Sequence, residues 1–253
     1  MAGISERVYP KDMDQESVDN IQGVMYKVFT TRYRVAARWV LEHFGNKGKV
    51  RIIDIACGSG YGSEILSRAG NVLGVDLDPE VIEYAKENYS GKRTSFTLGN
   101  ANDFEFLDGL GKFDAVVSLA TVEHVDDADA YMNWIYRALN PGGVAVVCFP
   151  SVVTMDWAIP HHKRDITRRG ARRLFSRNGF EVARDYYQNH KLDMRHLINE
   201  VSHPENEIPV PPLKHWISYY LTHPHHAVLR AWEATAGGGV HFGDQEYLLV
   251  PDG

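Results

Sequence analysis

The 253-residue chain has only two cysteines, Cys57 and Cys148, and each lies within an apolar run. Two such thiols read as small buried hydrophobes, which argues against a disulfide framework and for a reducing compartment. No apolar stretch reaches the roughly 18 residues that a spanning helix needs. The polar start, MAGISERVYPKDMDQESVDN, lacks the apolar region of a signal peptide. The expectation is a soluble, cytoplasmic protein with no membrane partner. Basic residues are not in excess either: 27 Lys and Arg face 33 Asp and Glu, for a net charge of −6. That balance, without a like-charge tail, disfavours nucleic acid as an obligate partner. Internal repeats and low-complexity linkers are missing. What remains, 44% hydrophobic residues over this length, fits one decorated globular domain with a sizeable core.

The hydrophobic pattern alternates between strand and helix periods. From about Ile21 to Phe44 it is helical, with two candidate helices, and Gly45 and Gly48 end the region. Short apolar strands are expected at Val50 to Ile55, Val72 to Val75, Thr94 to Leu98, Ala115 to Leu119 and Val144 to Phe149. Helices are expected at Gly62 to Ala69, from Asp78-Pro79 to Gly91, at Asp127 to Leu139, and at Thr167 to Asn178. A further strand runs from Phe180 to Tyr186, and a last one from Glu246 to Val250. Such alternation predicts an α/β, Rossmann-like doubly wound parallel sheet. Ligands then bind beyond the carboxyl ends of its strands. The stretch from Asp193 to Phe242, rich in His, Pro and aromatics, interrupts the sheet before its final strand. It reads as an insertion that covers the site or meets another subunit.

One segment concentrates the chemistry. IDIACGSGYG, Ile53 to Gly62, ends a buried strand on an acid and then places three glycines in five residues. A dinucleotide fingerprint G-x-G-x-x-G would want glycine at position 63, where Ser63 stands, which disfavours a nicotinamide dehydrogenase. An acid at the strand end, Asp54, suits a ligand with an ammonium group. Asp76 ends the next strand, 18 residues after Gly58, where a carboxylate can accept from both hydroxyls of a ribose. The competing reading of Asp76 is a helix cap, but Asp78 already serves there.

IDIACGSGYG, GVDLDPEVIEYAKENY, FTLGNANDF, FDAVVSLATVEHVDD and YRALNPGGVAVVCFPS, in this order over Ile53 to Ser151, together resemble class I S-adenosylmethionine-dependent methyltransferases of the small-molecule type. The resemblance implies a seven-stranded sheet with an antiparallel last strand, for which DQEYLLV is the candidate. Asp54, Ala56, Gly58 and Gly60 match positions at the methionine part of S-adenosyl-L-methionine. Asp76 matches the ribose acid and Leu77 the adenine contact. Asn100 stands where the family usually has aspartate at the adenine amino group, and its side-chain oxygen can still accept. Ala101 would offer its backbone N–H to the ring, and the Leu119 carbonyl would receive the methionine ammonium. Upstream, FTTRYRVAARWV resembles a helix found before the glycine turn in a subset of the family. Its Arg32-Tyr33 pair would lie near the cofactor carboxylate, against the alternative of a solvated arginine beside a core tyrosine. Tyr26 is a further lid candidate.

Catalytic candidates are histidines, since an alcohol acceptor must lose a proton. His124 in TVEHVDD comes first, with shaping of the turn beside Glu123 as its alternative. His162, together with His161, comes second; HKRDIT resembles a stretch before the sixth strand in many small-molecule members, with Ile166 replacing phenylalanine. No metal site is expected: the His-rich segment 215–226, with THPHH, has no accompanying Cys, Asp or Glu cluster. Residues 1–47 read as a helical lid, 48–151 as the cofactor-binding core, and 152–253 as a substrate or oligomer region. The expected activity is methyl transfer to a small molecule, most naturally at oxygen. Nitrogen, protein or RNA as acceptor, and a cofactor-binding fold without chemistry, are the alternatives. Trp216, Tyr219, Tyr220 and Trp232 are candidates for an aromatic substrate wall or for homodimer contacts. The arginines of the helix from Thr167 are candidates for an anionic substrate or for a solvated face.

Overall fold

The computed structural model describes residues 9, 21–45, 49–150, 162–164, 166–193, 213–232 and 239–252. His161 lies outside them, as do the side chains of Trp216 and Tyr219. Helix α1 (Ile21–Phe44) precedes β1 (Arg51–Ile55), α2 (Tyr61–Leu66), β2 (Asn71–Asp76), α3 (Pro79–Tyr89) and β3 (Thr94–Leu98). Then come α4 (Phe104–Gly109), β4 (Phe113–Leu119), α5 (Ala128–Ala138), β5 (Leu139–Pro150), α6 (Arg168–Arg177) and β6 (Phe180–Tyr187). Strand β7 (His190–Asp193), α7 (Leu213–Thr222), α8 (Pro224–Trp232), β8 (Gly239–Phe242) and β9 (Asp244–Pro251) complete the described chain.

Seven strands form one sheet in the order β3-β2-β1-β4-β5-β9-β6. Strands β1 to β5 pair in parallel, and β9 runs antiparallel between β5 and β6. The order reverses between β1 and β4, so the crevice for a ligand opens at their carboxyl ends. Strands such as RIIDI and FDAVVSL are buried on both faces, as a sheet covered by helices on each side requires. One face packs Trp134, Met132 and Ile135 of α5 and Phe175 of α6 against the sheet. The other packs Tyr33, Ala36 and Val40 of α1, Leu66 of α2, and Ile82 and Ala85 of α3.

Local chemistry sets the helix ends. Asp78 caps α3, accepting from the N–H of Glu80, with Pro79 at the first helical position. Asp127 caps α5 through the N–H groups of Asp129 and Ala130, and Thr167 caps α6 through Gly170. Three elements differ from the sequence expectation. The N-terminal region is one 24-residue helix rather than two; Gly23 alone does not break it. Helix α4, only six residues, is too short to show a period. Strand β5 starts at Leu139, so Asn140-Pro141-Gly142-Gly143 lies within the strand at a register shift opposite Phe113 and Ala115.

The insertion is held at its neck. β7 and β8 form a separate two-stranded antiparallel ribbon, pairing His190 with Phe242 and Asp193 with Gly239. Just before the ribbon, the buried Gln188 amide donates to the Val28 carbonyl of α1 at 3.1 Å and to Asp244 Oδ2 of β9 at 2.8 Å. One side chain, just past edge strand β6, thus joins α1 to β9. Gln188→Leu leaves a buried carbonyl and a buried carboxylate short of a donor, and we expect a loss of about 2 kcal/mol, read by urea denaturation.

Candidate cofactor and acceptor site

The turn after β1 is built on left-handed backbone: Ala56 has φ 59°, Gly58 φ 55° and Gly60 φ 90°. The Cys57 N–H donates to the Val75 carbonyl at 3.0 Å, fixing the turn against β2. The glycines have different reasons to be there. A Cβ on Gly60 would stand 2.8 Å from Ala85 Cβ and 3.0 Å from the Phe96 ring, and one on Gly62 would stand 2.0 Å from the Tyr33 ring. Those two glycines admit protein side chains. Only at Gly58 would a Cβ meet nothing within 4 Å, so this is the glycine whose outer face is open to a ligand. The glycine-rich stretch is therefore part packing device and part cradle.

Asp54 is fully buried. Its Oδ1 accepts from the Tyr33 hydroxyl at 3.3 Å and its Oδ2 from Ser63 Oγ at 2.7 Å. Burial raises its pKa from 3.8 to about 7, against the lowering pull of the Ser63 and Tyr33 hydrogen bonds and of the Arg32 charge. Both oxygens are thus turned onto protein donors beneath the turn.

Asp76, at the end of β2, accepts from the Gly58 N–H at 2.9 Å through Oδ2 and from the Asp78 N–H at 3.1 Å through Oδ1. A carboxylate offers about four acceptor sites, so this acid can hold the turn and still face a diol. Beside it the Leu77 side chain is 61% exposed, an apolar surface at the mouth of the crevice. Asn100, also exposed, accepts from the Asn102 N–H at 2.9 Å through its side-chain oxygen, and half-buried Ala101 follows it. These groups share the open edge formed by β1, β2 and β3, and their chemistry fits an adenosine: hydrogen-bond acceptors for a ribose and an apolar face for a base.

On the other side of the crevice, β4 ends at buried Leu119, and Ala120 adopts φ 53° with its N–H on the Cys148 carbonyl at 2.9 Å. Alanine rarely takes this conformation, and such residues collect at functional sites. Nothing in an alanine's identity marks it beforehand. The Thr121 hydroxyl spans the two strand ends, donating to the Ile55 or the Leu119 carbonyl at 3.3 Å.

Helix α1 closes the site from one side. Arg32 is not solvated: its side chain is 12% exposed, pairs with Asp244 at 3.6 Å and lies over the Phe29 ring at 5.0 Å. It also bonds the Tyr61 side chain. Tyr26 lies two turns earlier on the same helix, half-buried, its carbonyl accepting from Thr30. Beyond Arg32 sits Glu246, fully buried on β9, with no hydrogen-bond partner for either carboxyl oxygen among the described residues. Burial and Asp244 push its carboxyl well above the ordinary range, while Arg32 opposes them. Ser63, Tyr61, Asp244 and Glu246 were not among the sequence candidates. The acids Asp244 and Glu246, two apart in a strand that carries apolar residues elsewhere, were the signal available.

His124 and His162 meet, with ring centroids 4.8 Å apart and edge to face. The backbone explains the encounter. The Lys163 N–H donates to the Glu123 carbonyl at 2.9 Å, and the Arg164 guanidinium donates to the carbonyls of Val122 at 2.6 Å and Asp126 at 2.9 Å. Lys163 also pairs with Asp126. Residues 162–164 are thereby fastened to the loop after β4.

An open glycine turn lies after β1 and an imidazole pair beyond the adjacent strand β4. Residues 53–147 match the family model described as a methyltransferase domain. A probable S-adenosylmethionine-dependent methyltransferase of Mycolicibacterium smegmatis is 28% identical over 137 residues, 52% of this chain and 52% of that protein. A ubiquinone biosynthesis O-methyltransferase of Azorhizobium caulinodans is 33% identical over 118 residues, 43% of this chain and 46% of that one. The matched stretch spans about half the length of these relatives. The crystal structure of the YcgJ protein from Bacillus subtilis superposes with a TM-score of 0.59 at 16% identity, covering 87% of this chain and 97% of that one. Over residues 53–147 the chain is thus similar to S-adenosylmethionine-dependent methyltransferases. Among the described residues, no helix is long and apolar enough to cross a membrane.

Two outcomes follow from the geometry. Gly62→Ala drives a methyl into the Tyr33 ring and lowers stability by about 1–3 kcal/mol, read by denaturation. Gly58→Ala meets open space but at φ 55° carries a backbone cost of about 1 kcal/mol; beyond that cost its effect falls on S-adenosylhomocysteine affinity, read by calorimetry. For Asp54 the raised pKa sets the sign: the native state keeps a proton that the unfolded chain releases near 3.8. Stability therefore falls as pH rises towards about 7 and then levels. Asp54→Asn removes this titration, so the melting temperature of the variant gains on that of the parent between pH 5 and pH 8.

Proposed function

We propose that the chain transfers the methyl group of S-adenosylmethionine to an oxygen of a small-molecule acceptor. The observation that carries this reading is the open Gly58 face held by Asp76 after β1, together with the paired imidazoles of His124 and His162 beyond the neighbouring strand β4. When bound, the cofactor supplies an electrophilic methyl on a sulfonium. Asp76 and the exposed Leu77 hold the ribose and adenine, with Asn100 and Ala101 at the base edge. Gly58 and Gly60, with Ala56, shape the turn against the methionine part, and the Leu119 carbonyl takes its ammonium. Asp54 acts from below by fixing Tyr33 and Ser63.

The acceptor oxygen attacks in line. With S-adenosylmethionine bound, an acceptor oxygen would take its methyl group, the electron pair of the broken C–S bond remaining on sulfur. The acceptor's proton passes to His124, with His162 as the alternative base. Most of the rate then comes from orientation rather than from a covalent step. The name of the Azorhizobium relative, an O-methyltransferase, supports oxygen over nitrogen. The basic helix α6 favours no macromolecular acceptor: Arg172 and Arg168 pair with Asp185, and Arg177 with Asp129. The same reading takes 1–47 as a lid, 48–151 as the cofactor core and 152–253 as the acceptor side. Exposed Ile217, Leu221, Val228 and Trp232 support contact with a second copy there, and the two buried free cysteines support a cytoplasmic location.

The test is transfer of labelled methyl from S-adenosylmethionine into a metabolite extract, with protein and RNA fractions run beside it. Label in the metabolite fraction, reduced at least 100-fold by Asp76→Ala, is the expected result. Label in protein or RNA alone would overturn the small-molecule reading.

A further inference from the structure

The imidazole pair has a third member. Glu123, His124 and His162 bring one carboxylate oxygen and two ring nitrogens within 4.8 Å of one another. The His-rich segment 215–226 supplies no such group among its described residues. We propose that this cluster binds one first-row divalent cation of the Mn²⁺ or Co²⁺ kind, and that the ion holds the acceptor oxygen for methylation.

Two imidazoles and one carboxylate on one side of an ion form a donor set suited to first-row divalent metals, and leave coordination positions open. Bonds of about 2.0–2.2 Å need the three atoms somewhat closer than 4.8 Å, a change within reach of side-chain rotation. The backbone is already in place: Glu123 follows β4, and its carbonyl receives the Lys163 N–H directly beside His162. Glu123 is buried, while both histidines are half-buried, so protein backs the ion on one side and the crevice lies on the other. The positive charge of Lys163 is met by Asp126 rather than turned on the cluster. An ion here would acidify a coordinated hydroxyl. With the ion bound, this replaces the base role given above to His124 and His162: both imidazoles serve as ligands and the proton leaves to solvent.

The purpose assigned to the ion rests on the methyl-transfer reading; its binding does not. The full chain, stripped with chelator, is titrated with Mn²⁺ while the free ion is followed by electron paramagnetic resonance. Co²⁺ is added in parallel and its visible spectrum recorded. S-adenosylhomocysteine binding is measured by calorimetry on the same samples. The expected result is one Mn²⁺ per chain, weakened at least tenfold by His162→Ala and by Glu123→Gln, with S-adenosylhomocysteine affinity unchanged. Cobalt d–d bands should appear in the parent and not in the variants. The inference is overturned if neither ion binds saturably to a chain that binds S-adenosylhomocysteine, or if binding survives both substitutions. Saturable ion binding by a chain that fails to bind S-adenosylhomocysteine would sustain the ion site and sink the methyl-transfer reading.

Discussion

The burial of Asp54 is the constraint on which the site depends. A carboxylate with no exposure must be satisfied from within, and its two donors come from different elements, Tyr33 of α1 and Ser63 of α2. The Tyr33 ring can reach it only because residue 62 has no side chain. One acid therefore joins the amino-terminal helix, the first strand and the turn between them. Arg32 with Asp244, and Gln188 with the Val28 carbonyl, repeat the connection further along α1. The helix is thus part of the wall of the site and not an appendage to the sheet.

Much of this was readable beforehand, for physical reasons. Parallel strands covered on both faces leave unbroken apolar runs, and Asp78-Pro79 and Thr167 carry their helix ends in their side-chain chemistry. Asp76 was legible because an acid at a strand end beside a glycine turn has few other uses. The glycines were legible as a group but not individually. Whether a missing Cβ admits a ligand or a neighbouring ring depends on α1 and α3, which arrive from elsewhere in the chain. Ala120 gave no sign at all, since its strain lies in the backbone and not in the residue type. Asp54 was read as facing a ligand charge, and the positions of Tyr33 and Ser63 add the protein donors it holds as well.

The acceptor side shows the same division. His124 and His162 were singled out separately, 38 positions apart. Their meeting depends on main-chain hydrogen bonds from Lys163 and on the Arg164 guanidinium. No spacing rule contains such a contact. The charges of α6 are partly met within the fold: Arg168 and Arg172 pair with Asp185, and Arg177 with Asp129.

The β7–β8 ribbon gives the fold an evolutionary joint. Its four paired positions bring Asp193 and Gly239 together, next to the β6–β9 pairing of the main sheet. The closure entropy of a longer or shorter segment changes only slowly with its length. Segments of different length can therefore be accommodated between Asp193 and Gly239 while β1 to β5, on the far side of the sheet order, keep their pairing. Acceptor preference can diverge in such a lineage without renegotiating the fold.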